Sequence, residues 1–364
     1  MQKSIDYQKT IVNGYTVYKS IINMKYKHGS MKKKVYLTRT IPEPAISILS
    51  KECDVVVNKK PSPPTKKEIL SNIRNMDAIL CTLSDTIDGE IMDAAGSNLK
   101  VISSYSTGYD HIDIEEANRR GIYVTFTSDI LAEATADLTF ALILSIARRV
   151  VEADKFVRKK QWRFGWMPKL FLGSDVNGMT LGIFGLGSIG AAVARRATGF
   201  NMKILYHNRN RITNQLNNPI VNYVDINTLL KDSDFLSIHA TLNKDNFHFF
   251  NEANLRKMKK TAFLINTSRG QIIDERDLIK ALRNKWIAGV ALDVYEKEPI
   301  SISSPLLMMK NAIILPHIGS ATYQVRSKMA KVAAENLLNV LNGIEPMYLV
   351  NPYMKKLQGN DVLH

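Results

Sequence analysis

Residues 179–190 read MTLGIFGLGSIG, and residues 191–211 continue AAVARRATGFNMKILYHNRNR. A short apolar strand precedes Gly185-x-Gly187-x-x-Gly190, and a helical stretch follows to Gly199. A glycine triplet alone is weak, because glycines also serve turns. A strand before it and a helix after it are the context of a dinucleotide fold. Gly185 permits the tight turn, Gly187 lets a pyrophosphate approach the backbone, and Gly190 lets the helix pack closely on the strand. The pyrophosphate then meets free N–H groups at the helix N-terminus.

Such folds usually carry an Asp or Glu about 20 residues further on, bound to the adenosine ribose. Here that place reads His207-Asn208-Arg209-Asn210-Arg211, and no acid occurs between Asp175 and Asp225. A carboxylate there would repel a 2′-phosphate. Neutral Asn208 with Arg209 and Arg211 suits a phosphate dianion. The pattern predicts NADP(H) as the preferred cofactor, with NAD(H) as the alternative.

Outward from this stretch, strand-like and helix-like segments alternate. KVYLTR, CDVVV, DAILCTL and LKVISSYS read as strands, and KKEILSNIRN and IEEANRRG as amphipathic helices. Leu131 to Lys160 reads as one long helical segment. Further strands are expected at MKILYH, FLSIHA, AFLINTS, AGVALDV and AIILPHIG. This alternation predicts an α/β protein with parallel, doubly wound sheets. Residues 1–30 show no clear period and no signal-peptide core. They read as an extension, a transit segment or an upstream start. They hold lysines but no arginine, a poor match to a mitochondrial presequence. A cytoplasmic location is expected, and a mitochondrial one only if residues 1–30 are a transit segment.

A chain of 364 residues suggests two domains. Its longest apolar run, LTFALILSIA at 138–147, is too short to cross a membrane. Cys53 and Cys81 form neither a metal-ligand spacing nor a disulfide framework, so no metal is expected. The net charge of +15 invites a nucleic-acid reading. Residues 1–40, however, hold nine Lys and Arg against Asp6 alone, which leaves an ordinary solvated surface elsewhere. Neither nucleic acid nor membrane is an expected partner.

Three downstream stretches carry chemistry: INTSRGQIIDE with Arg269, ALDVYEKEP with Glu298, and LPHIGSAT with His317. Each polar group comes directly after a strand, where open α/β sheets bind ligands. Hydride transfer to a 2-keto acid needs a proton donor to the oxygen and a cation for the carboxylate. His317 suits the donor. Glu298 would favour its imidazolium and fix the ring. Arg269 offers a planar fork to the substrate. Taken singly, Arg269 is as easily a turn cap, Glu298 a loop charge and His317 a core histidine; the combination carries the reading.

GLGSIG, NTSRGQIIDERDLIKAL, AGVALDVYEKEP and LPHIGSAT, in this order and spacing, resemble the D-2-hydroxyacid dehydrogenases. The resemblance covers roughly Lys33 to Pro352. It implies a Rossmann-type cofactor domain at 131–321, inserted into a discontinuous flavodoxin-like substrate domain at 31–130 and 322–350, with a tail at 351–364. It implies Arg269, Glu298 and His317 as the catalytic trio, and a homodimer. Within the family, LSDTIDGEIMDAAGSNLKVIS, STGYDHID and QWRFGWMPKLFLG resemble the glyoxylate/hydroxypyruvate reductase branch. That likeness places Leu83, Thr107, Gly108 and Ser320 with Arg269 and His317 at a small substrate pocket. It sends Trp166 to the pocket of a neighbouring subunit; core packing is the alternative for Trp162 and Trp166. It places Gly187, Ser188, Ile189, Thr241, Thr267, Asp293 and Gly319 on the cofactor.

The expected reaction is NADPH-dependent reduction of a small 2-keto acid, glyoxylate or hydroxypyruvate, to the D-2-hydroxy acid. A reductase for larger keto acids such as 2-ketogluconate is the second reading. A dinucleotide-sensing corepressor of the same fold is the third. The absent ribose acid counts against it.

Overall fold

A computed structural model describes residues 7–12, 15–20, 32–212 and 221–351. Two compact units emerge: the described residues of Met1–Ile130 with Thr322–His364, and Leu131–Ala321.

The first unit is built on a seven-stranded sheet ordered β1-β2-β4-β3-β5-β6-β7. Its strands are β1 (Tyr7–Val12), β2 (Tyr15–Ser20), β3 (Lys33–Leu37), β4 (Cys53–Asn58), β5 (Ala78–Cys81), β6 (Val101–Ser104) and β7 (Tyr123–Thr125). The five strands from β4 to β7 run parallel in the flavodoxin-like order, 2-1-3-4-5 counted from β3. They are nearly continuous apolar runs because helices cover both faces of such a sheet. The helix Tyr323–Leu341 returns late in the chain to pack on β5, β6 and β7, and Ser103 Oγ donates to its Ala333 carbonyl at 2.8 Å.

The second unit carries β8 (Thr180–Phe184), β9 (Lys203–His207), β10 (Val221–Tyr223), β11 (Phe235–Ile238), β12 (Phe263–Asn266), β13 (Gly289–Leu292) and β14 (Ala312–Ile314). Their order is β10-β9-β8-β11-β12-β13-β14, all parallel, which is the Rossmann order 3-2-1-4-5-6 with one more strand. Successive side chains alternate between two cores. Ile183, Ile204, Tyr206 and Phe235 pack with the helix Ala132–Ala147, while Phe184, Leu205 and Leu236 pack with the helix Glu275–Arg283.

The expected long helix at 131–160 is two helices, Ala132–Ala147 and Val150–Arg158. Arg149 takes φ 56°, a left-handed conformation that ends the first helix, and its guanidinium then binds Glu152 at 2.8 Å. The extension, read as patternless, contains β1 and β2. They pair antiparallel, and β2 also pairs with β4. The other expectations for residues 1–30 fall largely outside the described residues. Asn351, the last described residue, is anchored: its amide accepts from Val124 N–H and donates to the Ile122 carbonyl, each at 2.9 Å.

Candidate active site

Each glycine of the first motif has a distinct geometry. Gly185 has φ +101°, and a Cβ there would lie 2.4 Å from Ala240 N. A Cβ on Gly190 would lie 2.4 Å from the Gly185 carbonyl oxygen, so only glycine lets this helix meet its strand. Around Gly187 there is open space. Ser188 begins the helix Ser188–Thr198, and Ile189 packs on the core beneath.

A cleft of about 500 Å³ opens above β8, β9 and β11, lined in part by Gly185, Gly187, Asn208, Arg209, Asn210 and Thr241. The Leu186 N–H donates to Asn208 Oδ1 at 2.6 Å, which ties the glycine loop to the end of β9. Arg209 is 75% exposed, and its guanidinium lies 3.3 Å from Asp245. Arg211 does not line the cleft; it lies over the Tyr223 ring. Thr267 does not line it either, and its hydroxyl sits 3.0 Å from that of Thr139. His239, half-buried in the cleft wall, has its imidazole pushed down to about 3 by burial and contacts Ser237 Oγ at 2.8 Å.

The trio comes off three adjacent strands at their carboxyl ends. Arg269 follows β12, Glu298 follows β13 and His317 follows β14. His317 Nδ1 donates to Glu298 Oε2 at 2.7 Å. The other Glu298 oxygen accepts from the Tyr295 N–H at 3.2 Å, and Tyr295 OH donates to the Leu315 carbonyl at 2.8 Å. Both carboxylate oxygens of Glu298 are thus engaged, and the imidazole is held by the nitrogen that faces it. Nε2 is left as the nitrogen to carry a transferable proton.

Asp293 sets the backbone of this segment. Its carboxylate accepts from the Ile318 and Gly319 N–H groups, each at 2.7 Å, and its carbonyl accepts from His317 N–H. Burial pushes its carboxyl above the usual range while those two donors pull the other way. With these contacts His317 is held at φ 54°, a conformation uncommon for a side-chain-bearing residue. Ser320 is half-buried three positions on.

Two positioning residues escaped the sequence reading. Asn266 ends β12; its amide accepts from Ser268 N–H at 3.0 Å and donates to the Arg269 carbonyl at 2.9 Å. That local Asx turn is a recognisable signal. Tyr295 had none, because its partner Leu315 is on another strand's loop.

In the first unit, Leu83 follows β5, and Thr107 and Gly108 follow the neighbouring β6. The Thr107 hydroxyl donates to the Thr127 carbonyl at 2.7 Å. Trp162 and Trp166 are not core residues: they are 54% and 84% exposed. Among the described residues, no group of three or more His, Cys, Asp or Glu is arranged to hold a metal, and no helix is long and apolar enough to cross a membrane.

A Rossmann-ordered sheet whose glycine loop meets a helix N-terminus, with an Arg and a Glu–His pair along the same carboxyl edge, makes the chain an NAD(P)-dependent dehydrogenase. The model for the D-isomer specific 2-hydroxyacid dehydrogenase NAD-binding domain matches residues 140–319. A glyoxylate reductase of Thermofilum pendens is 51% identical over 89% of this chain and 96% of its own length. The crystal structure of a glyoxylate reductase from Paecilomyes thermophila superposes with a TM-score of 0.78 at 32% identity, covering 88% of this chain and 98% of that one. An NADPH-dependent glyoxylate/hydroxypyruvate reductase from Sinorhizobium meliloti, solved with NADP and malonate, gives a TM-score of 0.77 at 28% identity over 88% of this chain and 97% of that one. The chain belongs to the D-isomer specific 2-hydroxyacid dehydrogenase family.

Proposed function

We propose that the protein reduces a small 2-keto acid, glyoxylate or hydroxypyruvate, to the D-2-hydroxy acid with NADPH. The observation that carries this is the His317–Glu298 pair at 2.7 Å, beside the strand that delivers Arg269. Bound nicotinamide supplies the hydride to the substrate C2. His317 Nε2 gives its proton to the keto oxygen, and Glu298 stabilises the imidazolium before transfer. Arg269 pairs with the substrate carboxylate through its planar fork. Ser320, on the segment that carries His317, helps confine the substrate.

Two features of the cleft support the phosphate-bearing cofactor. Asn208 Oδ1 accepts from the Leu186 N–H, which leaves the amide nitrogen as a donor. The Arg209–Asp245 pair is exposed on both sides and such pairs contribute about 0–1 kcal/mol, so a 2′-phosphate dianion displaces Asp245 readily. The exposed Phe164 and Trp166 suit an interface with a second copy of the chain, which supports a homodimer. Turnover of NADPH and NADH against glyoxylate, hydroxypyruvate, pyruvate and 2-ketogluconate tests the reading. Preference for 2-ketogluconate or for NADH would overturn the corresponding half.

A further inference from the structure

We propose that His248 is a positioning residue for the reaction: it clamps Glu296 and thereby fixes the loop that presents Glu298 to His317. The inference rests on the reading of His317 as proton donor. Glu296 stands two positions before Glu298 and fastens their loop to two other segments. One carboxylate oxygen, Oε1, accepts from His248 Nε2, and the other accepts from the Glu275 N–H at 3.2 Å, at the start of the helix Glu275–Arg283. The Glu296 carbonyl accepts from Gln271 Nε2 at 3.0 Å. His248 N–H donates to the Gln271 carbonyl at 2.8 Å, which closes the ring of contacts.

His248 is itself set for this task. Its backbone takes φ 51°, and the Phe247 ring stacks on the imidazole at 4.0 Å between centroids. Its second nitrogen, Nδ1, lies 3.5 Å from Asp274 Oδ2. The charged groups around it are Glu296 and Asp274 in contact, Glu275 beside Glu296, and Arg276, whose guanidinium is 3.7 Å from Asp274. A protonated imidazole donates to both carboxylates, whereas a neutral one carries a single N–H. Burial and the neighbouring Glu296 push the Glu275 carboxyl up, a sign that negative charge is crowded here.

The backbone transmits the clamp over a short path. Tyr295 N–H donates to Glu298 on one side of Glu296, so a shift of Glu296 moves the carboxylate that holds His317. Losing the cation alone would raise the His317 titration midpoint, because a positive charge disfavours a second one. Losing the positioning lowers it, because Glu298 then holds the imidazolium less well. The two effects have opposite signs, and the sign decides between them.

The test is the titration of His317 by NMR with histidine-labelled protein, in wild type, His248→Phe and His248→Gln, with His248→Ala as the substitute if Phe prevents folding. Phe should lower the His317 midpoint by about half a unit or more. It should also cut kcat by about tenfold, as small misplacements do, with the cofactor KM unchanged. Gln, which keeps an N–H donor for Glu296 but carries no charge, should restore kcat and bring the midpoint back to the wild-type value or above it. An unchanged or raised midpoint in the Phe or Ala variant overturns the inference, as does failure of Gln to rescue. The titration needs no substrate, so absence of turnover with every 2-keto acid would sink the proposed activity and leave this result standing.

Discussion

Glu298 and His317 are nineteen residues apart in the chain, and their side chains meet at 2.7 Å. They come off adjacent parallel strands, β13 and β14, so the sheet register places them. His317→Ala should cut kcat for keto-acid reduction by about 10²–10⁴, the usual worth of a general acid. NADPH affinity, measured by fluorescence titration, should hold. Near-full turnover would remove His317 from the chemistry.

Arg269→Lys keeps the charge and loses the bidentate fork. The keto-acid KM should rise and kcat should fall. Unchanged steady-state constants would mean that the carboxylate is held elsewhere.

Cofactor choice is testable at the end of β9. An Asp at 208 still accepts from Leu186 N–H and adds a charge that repels a 2′-phosphate. With Arg209→Ala it also removes a phosphate partner, whose contact is worth about 1.5–3 kcal/mol. In Asn208→Asp/Arg209→Ala, kcat/KM for NADPH should fall about tenfold or more. That for NADH should hold or improve. Both are compared at one low ionic strength, because exposed charges are screened. A wild type that favours NADH contradicts the assignment.

His239 gives the fold an acid-sensitive element. Burial lowers its imidazole from 6.5 to about 3, so between those values the unfolded chain binds a proton that the folded chain refuses. Its contribution is complete above about pH 6.5 and is lost as pH falls toward 3. Urea unfolding of wild type and His239→Gln from about pH 7 to pH 4 should show a shallower pH dependence in the variant. Parallel slopes would assign acid sensitivity to other groups.

Removal of residues 1–31 takes away β1 and β2 and opens the outer edge of β4, which carries Val55, Val56 and Val57. Open apolar edges recruit other strands. The shortened chain should self-associate as its concentration rises, in sedimentation velocity. A truncated protein that behaves like the full chain would show that the edge needs no cover.

Much of this was legible in the sequence because parallel strands buried on both faces are written as short apolar runs. The trio was legible because each member directly follows such a run. Contacts made by the fold alone were not. Asp245, thirty-six residues beyond Arg209, supplies an acid at a cleft whose own segment has none. The helix break at Arg149 has neither Gly nor Pro to mark it. The β1–β2 pairing did carry a signal, Asn13-Gly14 between two β-prone runs. Gln8, Lys9 and Thr10 dilute the apolar alternation that would have made it plain.

Gly270 has a consequence for anyone who reshapes this enzyme. A Cβ there would fall 1.8 Å from the Tyr295 carbonyl carbon and 2.4 Å from Glu296 N. The chain next to Arg269 and the chain leading to Glu298 therefore touch backbone to backbone, as two blades share a pivot. A broader substrate range cannot be sought by loosening one of them, because the other moves with it. Directed evolution toward bulkier keto acids should therefore leave Gly270 fixed.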